Sequence, residues 1–281
     1  MNKKQNAFTL IELLVVMALI GVLASIVMVS LTGTIEKARM AKVLKFSQGI
    51  QNALGADIVL NLSFDDQADS TKDASGYGNN GTVNVTVPGG FTPDTPHKFL
   101  GAGPAQGKYA LYVDGNDYVD CGNNPSLNIN NDFTIEAWIK LTAGQTGGVV
   151  NWGEQVAGKR RSMLIWNGGI GPNWYLYFFG YGTPANVGGT SNLNDGKWHH
   201  AVVTVDSNNH GKVYVDSVLE NEKDLTLVSY TFSGTRIGRT DVPEYFNGII
   251  DEVRIYNRAL TAFEIQKHYV ERASRHGIVL K

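Results

Sequence analysis

The chain has 281 residues, enough for an extended terminal segment and one large domain. Its 24 basic and 26 acidic residues give a formal net charge of -2, which argues against a nucleic-acid binder built on a basic face. The single cysteine, Cys121, excludes an internal disulfide framework, so export must be read from the N-terminus.

Lys3 and Lys4 form a short basic stub, and no charged residue occurs from Leu13 to Leu31. That run suits a membrane-spanning helix of about 20 residues. Glu12 sits at its start, although a carboxylate costs roughly 2.5–3.5 kcal/mol at the centre of a spanning helix and somewhat less near an end. A secretory signal has an apolar core of only about 7–15 residues before a small-residue cleavage site. Val22-Leu23-Ala24 fits such a site, but that reading leaves Ser25–Leu31 and Glu12 unexplained. Beyond the apolar run, Ile35, Val43, Phe46, Ile50, Ala53 and Leu54 recur at three- and four-residue intervals or their sums. One apolar stripe at that period predicts a continuing helix, with Gly55 as its stop. A helix over Phe8–Leu54 is roughly 70 Å long at 1.5 Å per residue.

From Asp57 the texture changes. Ile58–Phe64, Ala110–Val113, Phe133–Ile139, Ala201–Val205 and Lys212–Val218 are β-branched or aromatic runs bounded by Gly, Asn, Asp or Pro. They predict an all-β sandwich or barrel. Val83–Gly107 holds four of the eight prolines and is expected as a long surface loop. Thr261-Ala-Phe-Glu264 is a capping-box sequence and predicts a short helix ending before Gly277.

Two stretches carry resemblances. KKQNAFTLIELLVVMALIGVLAS resembles the N-terminus of type IV pilins and pseudopilins. The resemblance implies a leader of residues 1–7 removed by a prepilin peptidase between Ala7 and Phe8. It also implies methylation of the new Phe8 amino group and a helix over residues 8–54, with 8–31 in the membrane. Glu12, one turn from the new terminus, pairs in that family's account with a Phe8 ammonium and sets register between subunits. A buried carboxylate is tolerable when a cation pairs with it. Ala7 stands where Gly is more usual, and Val29 where many major pilins have a helix-kinking Pro. The second resemblance rests on Asp114–Val119, Phe133–Trp138, Trp198–Val202, Val213–Asp216 and Phe246–Leu260, which look like the laminin G-like, concanavalin-like jelly roll. It implies a two-sheet antiparallel head over residues 57–270, with 271–281 as a tail. Ser217 departs from the Gly usual in the family's hairpin turn.

Together these imply a subunit held in the inner membrane, then polymerised with copies of itself by pilus assembly machinery into a cell-surface filament. The alternatives are a minor or tip pilin that adheres through its head to a glycan or surface protein, and a secretion-system pseudopilin. Related jelly rolls often hold one structural calcium between first and last strands. Here Asp251 and Asp73 are the leading candidates, with Asp65 and Asp66 beside them. The alternative is that these aspartates accept turn and strand-edge hydrogen bonds. Trp152, Trp166, Trp174 and Tyr175 cluster in sequence near Tyr177, Tyr181, Arg160 and Arg161 as a glycan platform, or else as core. No catalytic constellation is found. There is no Glu-x-Asp-x-Glu run of the kind that concanavalin-like glycanases carry, and Asp251 and Glu252, being adjacent, are expected to face opposite ways on a regular strand.

Overall fold

The computed structural model describes residues 10–11, 13–20, 57–65, 71–85, 100–101, 109–130, 132–141, 144, 146–153, 160–168, 173–180, 185–240 and 244–280. The chain divides into two compact units, Met1–Gly55 and Ala56–Lys281. In the first, residues 10–11 and 13–20 are helical. The rest of the helix expected to run to Leu54 lies outside the described residues. Among the described residues no helix is long and apolar enough to cross a membrane.

Among the described residues, the second unit is an antiparallel sandwich of fifteen strands with a C-terminal helix. One sheet joins β13 (Val218–Asp224), β12 (His210–Val215), β11 (His199–Val205), β6 (Phe133–Leu141), β15 (Asn247–Tyr256), β4 (Tyr109–Asp114) and β3 (Leu100–Gly101) in that order, with β1 (Ile58–Leu62) also pairing β15. The other joins β10 (Asn186–Gly188), β9 (Tyr175–Phe179), β8 (Arg160–Trp166), β7 (Gly147–Gly153), β14 (Thr235–Ile237), β5 (Asp117–Asp120) and β2 (Thr82–Val85). Strand β3 and all of β2 but Thr82 fall inside the stretch expected as a loop. Val83–Val85 pair with β5, and Leu100–Gly101 with β4.

Alternation sets the two faces of each sheet. In β6, Phe133, Ile135, Ala137, Ile139 and Leu141 join the core, as do Ala201, Val203 and Val205 of the adjacent β11. Glu136, Trp138 and His200 therefore fall on the outer face. Between the sheets Trp152 stands edge-on to Phe133 with centroids 5.1 Å apart, and Phe178 lies 5.6 Å from Phe133. Trp152 is 2% exposed, so this member of the expected glycan platform is core instead.

The helix Ala262–Ala273 starts as the sequence predicts. Thr261 Oγ1 accepts from Glu264 N, and Glu264 Oε2 accepts from Thr261 N. A 3-10 turn, Ser274–His276, follows and stops at Gly277, whose φ of 75° suits glycine. Residues 271–276, expected as tail, thus belong to the folded head, and His276 is buried.

The β12–β13 hairpin turns on two residues, Asp216 and Ser217, with φ of 50° and 67°. A two-residue turn with both φ positive favours Asp-Gly, and a non-glycine residue in this region costs roughly 1 kcal/mol. Ser217→Gly is expected to stabilise the protein by about 1 kcal/mol. Chemical denaturation measures it; an unchanged or lowered midpoint would mean the serine is not strained.

Candidate functional site

In the N-terminal unit, Leu10, Ile11, Leu13, Leu14, Val15, Val16, Met17, Leu19 and Ile20 are all exposed. Each such side chain would gain about 1.5–3 kcal/mol on full burial. Ala7, Phe8 and Glu12 lie outside the described residues.

The outer face of the seven-stranded sheet carries an aromatic cluster. In β9, Leu176 and Phe178 point into the core, which leaves Tyr175, Tyr177 and Phe179 half-buried on the other side. Across the ladder, Trp166 of β8 pairs with Tyr175, Leu164 with Tyr177 and Ser162 with Phe179. Trp166 stands edge-on to Tyr177 at 5.0 Å and to Phe179 at 5.3 Å. Gly188 on β10 makes room for this packing, since a Cβ there would lie 2.1 Å from the Tyr177 ring. Beside the cluster the face turns polar. Ser162 donates to Asn151 Oδ1 at 2.5 Å, while the buried Asn151 Nδ2 has no partner among the described residues. The structure thus brings Trp166 and Tyr175 to one face, where Tyr177 and Phe179 complete them. Trp174 packs against the core, Trp152 lies within it, and Tyr181 lies outside the described residues. Phe179 was legible in Tyr-Leu-Tyr-Phe-Phe as one of three alternate aromatics, once Leu176 and Phe178 are assigned to the core.

The expected calcium ligands have other partners. Asp73 is buried, and its Oδ1 accepts from Asn61 N and Ser75 N, each at 2.9 Å. Its Oδ2 accepts from Ser75 Oγ at 2.6 Å and from Asn79 N at 2.9 Å. Asp65 Oδ1 accepts from Tyr109 N at 3.2 Å. Asp251 Oδ2 meets His276 Nε2 at 3.1 Å, with Oδ1 accepting from Glu252 N at 2.8 Å. Asp66 lies outside the described residues. Among the described residues no three His, Cys, Asp or Glu side chains gather as a metal site. Four N–H and O–H donors on Asp73 and a histidine on Asp251 do not fit a shell of six to eight converging oxygens. Calcium is therefore expected to leave the melting temperature unchanged. A rise that Asp251→Ala or Asp73→Ala removes would reinstate the metal.

Asp251 and Glu252 do not face opposite ways. A register irregularity falls between Asp251 and Arg254, and Glu252 adopts φ of 50°. The irregularity is a β-bulge, which breaks the alternation of the strand. Both carboxylates therefore reach C-terminal residues on the same side of the sheet. Glu252 Oε1 accepts from Arg272 Nη1 and, at 2.8 Å, from Arg275 Nη1, while Oε2 accepts from Arg254 Nη2 at 2.5 Å. Arg254 Nη1 donates to Glu136 Oε1 at 2.7 Å, and Tyr256 OH donates to the same oxygen at 3.1 Å. His268 Nδ1 lies 2.9 Å from Glu136 Oε2 and His200 Nε2 lies 3.7 Å from it. His276 stacks on Trp138 with ring centroids 4.1 Å apart. Burial opposes the charge on Glu136 and Glu252, but the surrounding His and Arg groups outweigh it and hold both carboxyls below the usual range. At Asp251 burial wins, and the carboxyl is pushed up to about 6. These carboxylates are consumed in ion pairs under the C-terminal helix, a structural arrangement.

A family model described as the concanavalin A-like lectin/glucanases superfamily matches residues 113–266, just over half of the chain. A model of the prokaryotic N-terminal methylation motif matches residues 2–28. The type II secretion system core protein G of Escherichia coli (strain K12) is 47% identical over 51 residues, 18% of this chain and 35% of that protein. The chain thus spans about a third of the length of that curated relative. Among solved structures, domain 4 of AbnA, a GH43 extracellular arabinanase from Geobacillus stearothermophilus in complex with arabinotriose, is 23% identical with a TM-score of 0.56. That match covers 75% of this chain and 98% of that one. The binding domain of Paraclostridial Mosquitocidal Protein 1 is 16% identical with a TM-score of 0.58, covering 81% of this chain and 56% of that one. The receptor binding domain of botulinum neurotoxin C/D mosaic serotype is also 16% identical, with a TM-score of 0.55 and coverage of 81% and 55%. At these identities the likeness shows the sandwich fold alone.

Proposed function

The chain belongs to the concanavalin A-like lectin/glucanases superfamily through residues 113–266 and carries a prokaryotic N-terminal methylation motif through residues 2–28, and from that premise we propose that it is a type IV pilin-like filament subunit. In this reading a prepilin peptidase cuts between Ala7 and Phe8, the new Phe8 terminus is methylated, and residues 8–54 become the filament-core helix. The jelly-roll head is displayed on the cell surface. The observation that carries the reading is the methylation motif leading into a helix whose side chains from Leu10 to Ile20 are exposed and apolar. Such a surface needs the inner membrane before assembly and neighbouring helices afterwards. The head has no catalytic part in this proposal, because Glu136 and Glu252 are buried and held by arginines and histidines. The test is electron microscopy of filaments sheared from the native cells, with mass spectrometry of the subunit's first residue. Filaments built of chains that begin at methylated Phe8 support the proposal. Mature chains that begin after Ala24 would replace it with a secreted protein.

Two narrower roles are each favoured by one observation. The identity to the secretion-system core protein lies in 51 residues and favours a pseudopilin; loss of protein secretion without loss of surface filaments on deletion would decide for it. The half-buried Trp166–Tyr177–Phe179 cluster favours an adhesive head, because aromatic rings stack on the apolar faces of sugars. Trp166→Ala is expected to shift stability by only about 1 kcal/mol, since the side chain is half-exposed. It is also expected to remove retention on a glycan array. Unchanged retention would clear this face of sugar binding.

A further inference from the structure

Apart from the aromatic face, the head has a cavity of about 490 Å³ beside the C-terminal helix. Its size falls within the range of small-ligand pockets. Lys140 at the end of β6, Asp195, Trp198, His199 at the start of β11, Asp216 in the hairpin turn and Tyr269 of the C-terminal helix contribute to its lining.

The charges in this cavity do not cancel. Asp195 accepts from Lys197 N at 2.9 Å, lies 3.1 Å from Lys197 Nζ and 3.0 Å from His199 Nε2. Asp216 accepts from His200 N at 2.9 Å and lies 2.9 Å from His199 Nδ1. Both ring nitrogens of His199 thus face carboxylates. Burial works against its positive charge, but the hydrogen bonds to Asp216 and Asp195 outweigh burial and raise its pKa. The two carboxylates are matched by Lys197 and by His199, whose two ring nitrogens each face one of them. Lys140 is left over. It is half-buried, and among the described residues its ammonium has neither an ion pair nor a hydrogen bond. The aromatic walls are fixed in place. Trp198 stands edge-on to His276 at 4.7 Å, and Tyr269 stacks on Trp138 at 5.7 Å.

We propose that this cavity binds a sugar bearing a carboxylate, of the uronic-acid class. The carboxylate meets the Lys140 ammonium in a charge-assisted hydrogen bond. An apolar ring face lies against Trp198 or Tyr269. Hydroxyls donate to lone pairs of Asp195 and Asp216 that remain unused, since an ionised carboxylate offers about four acceptor sites. A neutral sugar leaves the ammonium unmatched, and a small carboxylate leaves the aromatic walls uncovered. The site shares no named residue with the Trp166 cluster and stands whether or not that face binds glycan.

The test is calorimetric titration of the detergent-solubilised full chain with D-glucuronic acid, D-glucose and acetate. Glucuronic acid is expected to bind, with glucose and acetate each at least about tenfold weaker. Added salt should weaken glucuronic acid binding, since the Lys140 contact is partly exposed. Lys140→Met is expected to reduce glucuronic acid affinity about tenfold, the effect of losing one charge-assisted hydrogen bond. Lys140→Arg should retain most of the affinity, since the positive charge survives. No binding of glucuronic acid, or equal binding of acetate or glucose, overturns the proposal, as does an unaltered Lys140→Met. Should Lys140→Met fail to fold, the comparison of the three probes on the unaltered chain decides.

Discussion

Glu136→Ala is expected to destabilise the head by about 3–5 kcal/mol, the range for breaking one side of a buried ion pair. At roughly 2–4 °C per kcal/mol for a domain of this size, the melting temperature falls by about 10 °C. The reason is the number of donors this carboxylate serves. Arg254, Tyr256 and His268 hydrogen-bond to it, and His200 stands close by. All four partners are buried at 8% exposure or less, so water does not replace the lost acceptor without opening the packing of the C-terminal helix. Thermal denaturation followed by circular dichroism measures the effect. A fall below about 1 kcal/mol would mean that the partners re-pair among themselves and that Glu136 is not the hub. Acid acts on the same groups. Glu136 and Glu252 have folded-state pKa values below the unfolded value, so their contribution is present above roughly pH 4 and is lost as pH falls through the folded values. Asp251, pushed up to about 6, has the opposite sign. Its protonation on folding adds stability as pH falls from about 6 towards its unfolded value near 4. A melting temperature that holds or rises slightly between pH 7 and about 5, then drops below about 4, is the expected profile. In Glu136→Ala the acid drop should be shallower.

Glu12→Ala is expected to leave the head's melting temperature unchanged and to reduce entry into filaments by roughly a hundredfold. That factor corresponds to the ~3 kcal/mol lost when a buried charge is left without its partner. In the proposed packing the Phe8 ammonium has no other counter-charge, because from Leu10 to Leu31 the chain offers only Glu12. Immunoblots of sheared filaments against membrane pools measure it. Normal incorporation would show that register comes from the apolar stripe alone. Glu12→Asp should restore part of the loss, since the charge survives on a shorter stem.

How much of this was legible in the sequence depended on which forces act locally. The runs Phe133–Ile139 and Ala201–Val205 are β-branched or aromatic and bounded by turn residues, and that local composition placed them as strands. The Thr261–Glu264 capping box formed because both of its bonds lie within four residues. Short strands in Pro-rich chain were missed, since β2 and β3 exist through their partners β5 and β4 rather than through their own propensity. Trp152 and Trp166 lie fourteen positions apart and looked alike. Which face each takes depends on the phase of its strand, and β7 carries its own register shift between Gly148 and Val150. The buried cluster around Glu136 was not foreseen. Glu136 and Arg254 face each other across the β6–β15 ladder, and His268 comes from a helix that no strand pattern locates. Asp251 and Asp73 looked like metal ligands because oxygen-rich residues near chain ends suit either a cation or a set of N–H donors. Three of the four donors that Asp73 meets are backbone N–H groups, which a list of side chains does not display.

The bulge at Glu252 makes β15 a strand with two reading frames. Ile250 points inward before it, and Val253 and Ile255 point inward after it, so the inward parity changes from even to odd. One residue of length is what lets Asp251 and Glu252 share a side. A relative lacking that residue would keep a single parity from end to end. Its downstream chain would sit about 3.4 Å out of step with the neighbouring strand. The arginines that close on Glu252 would then have no anchor, so an insertion or deletion here should be accompanied by exchange of Arg254, Arg272 and Arg275 together.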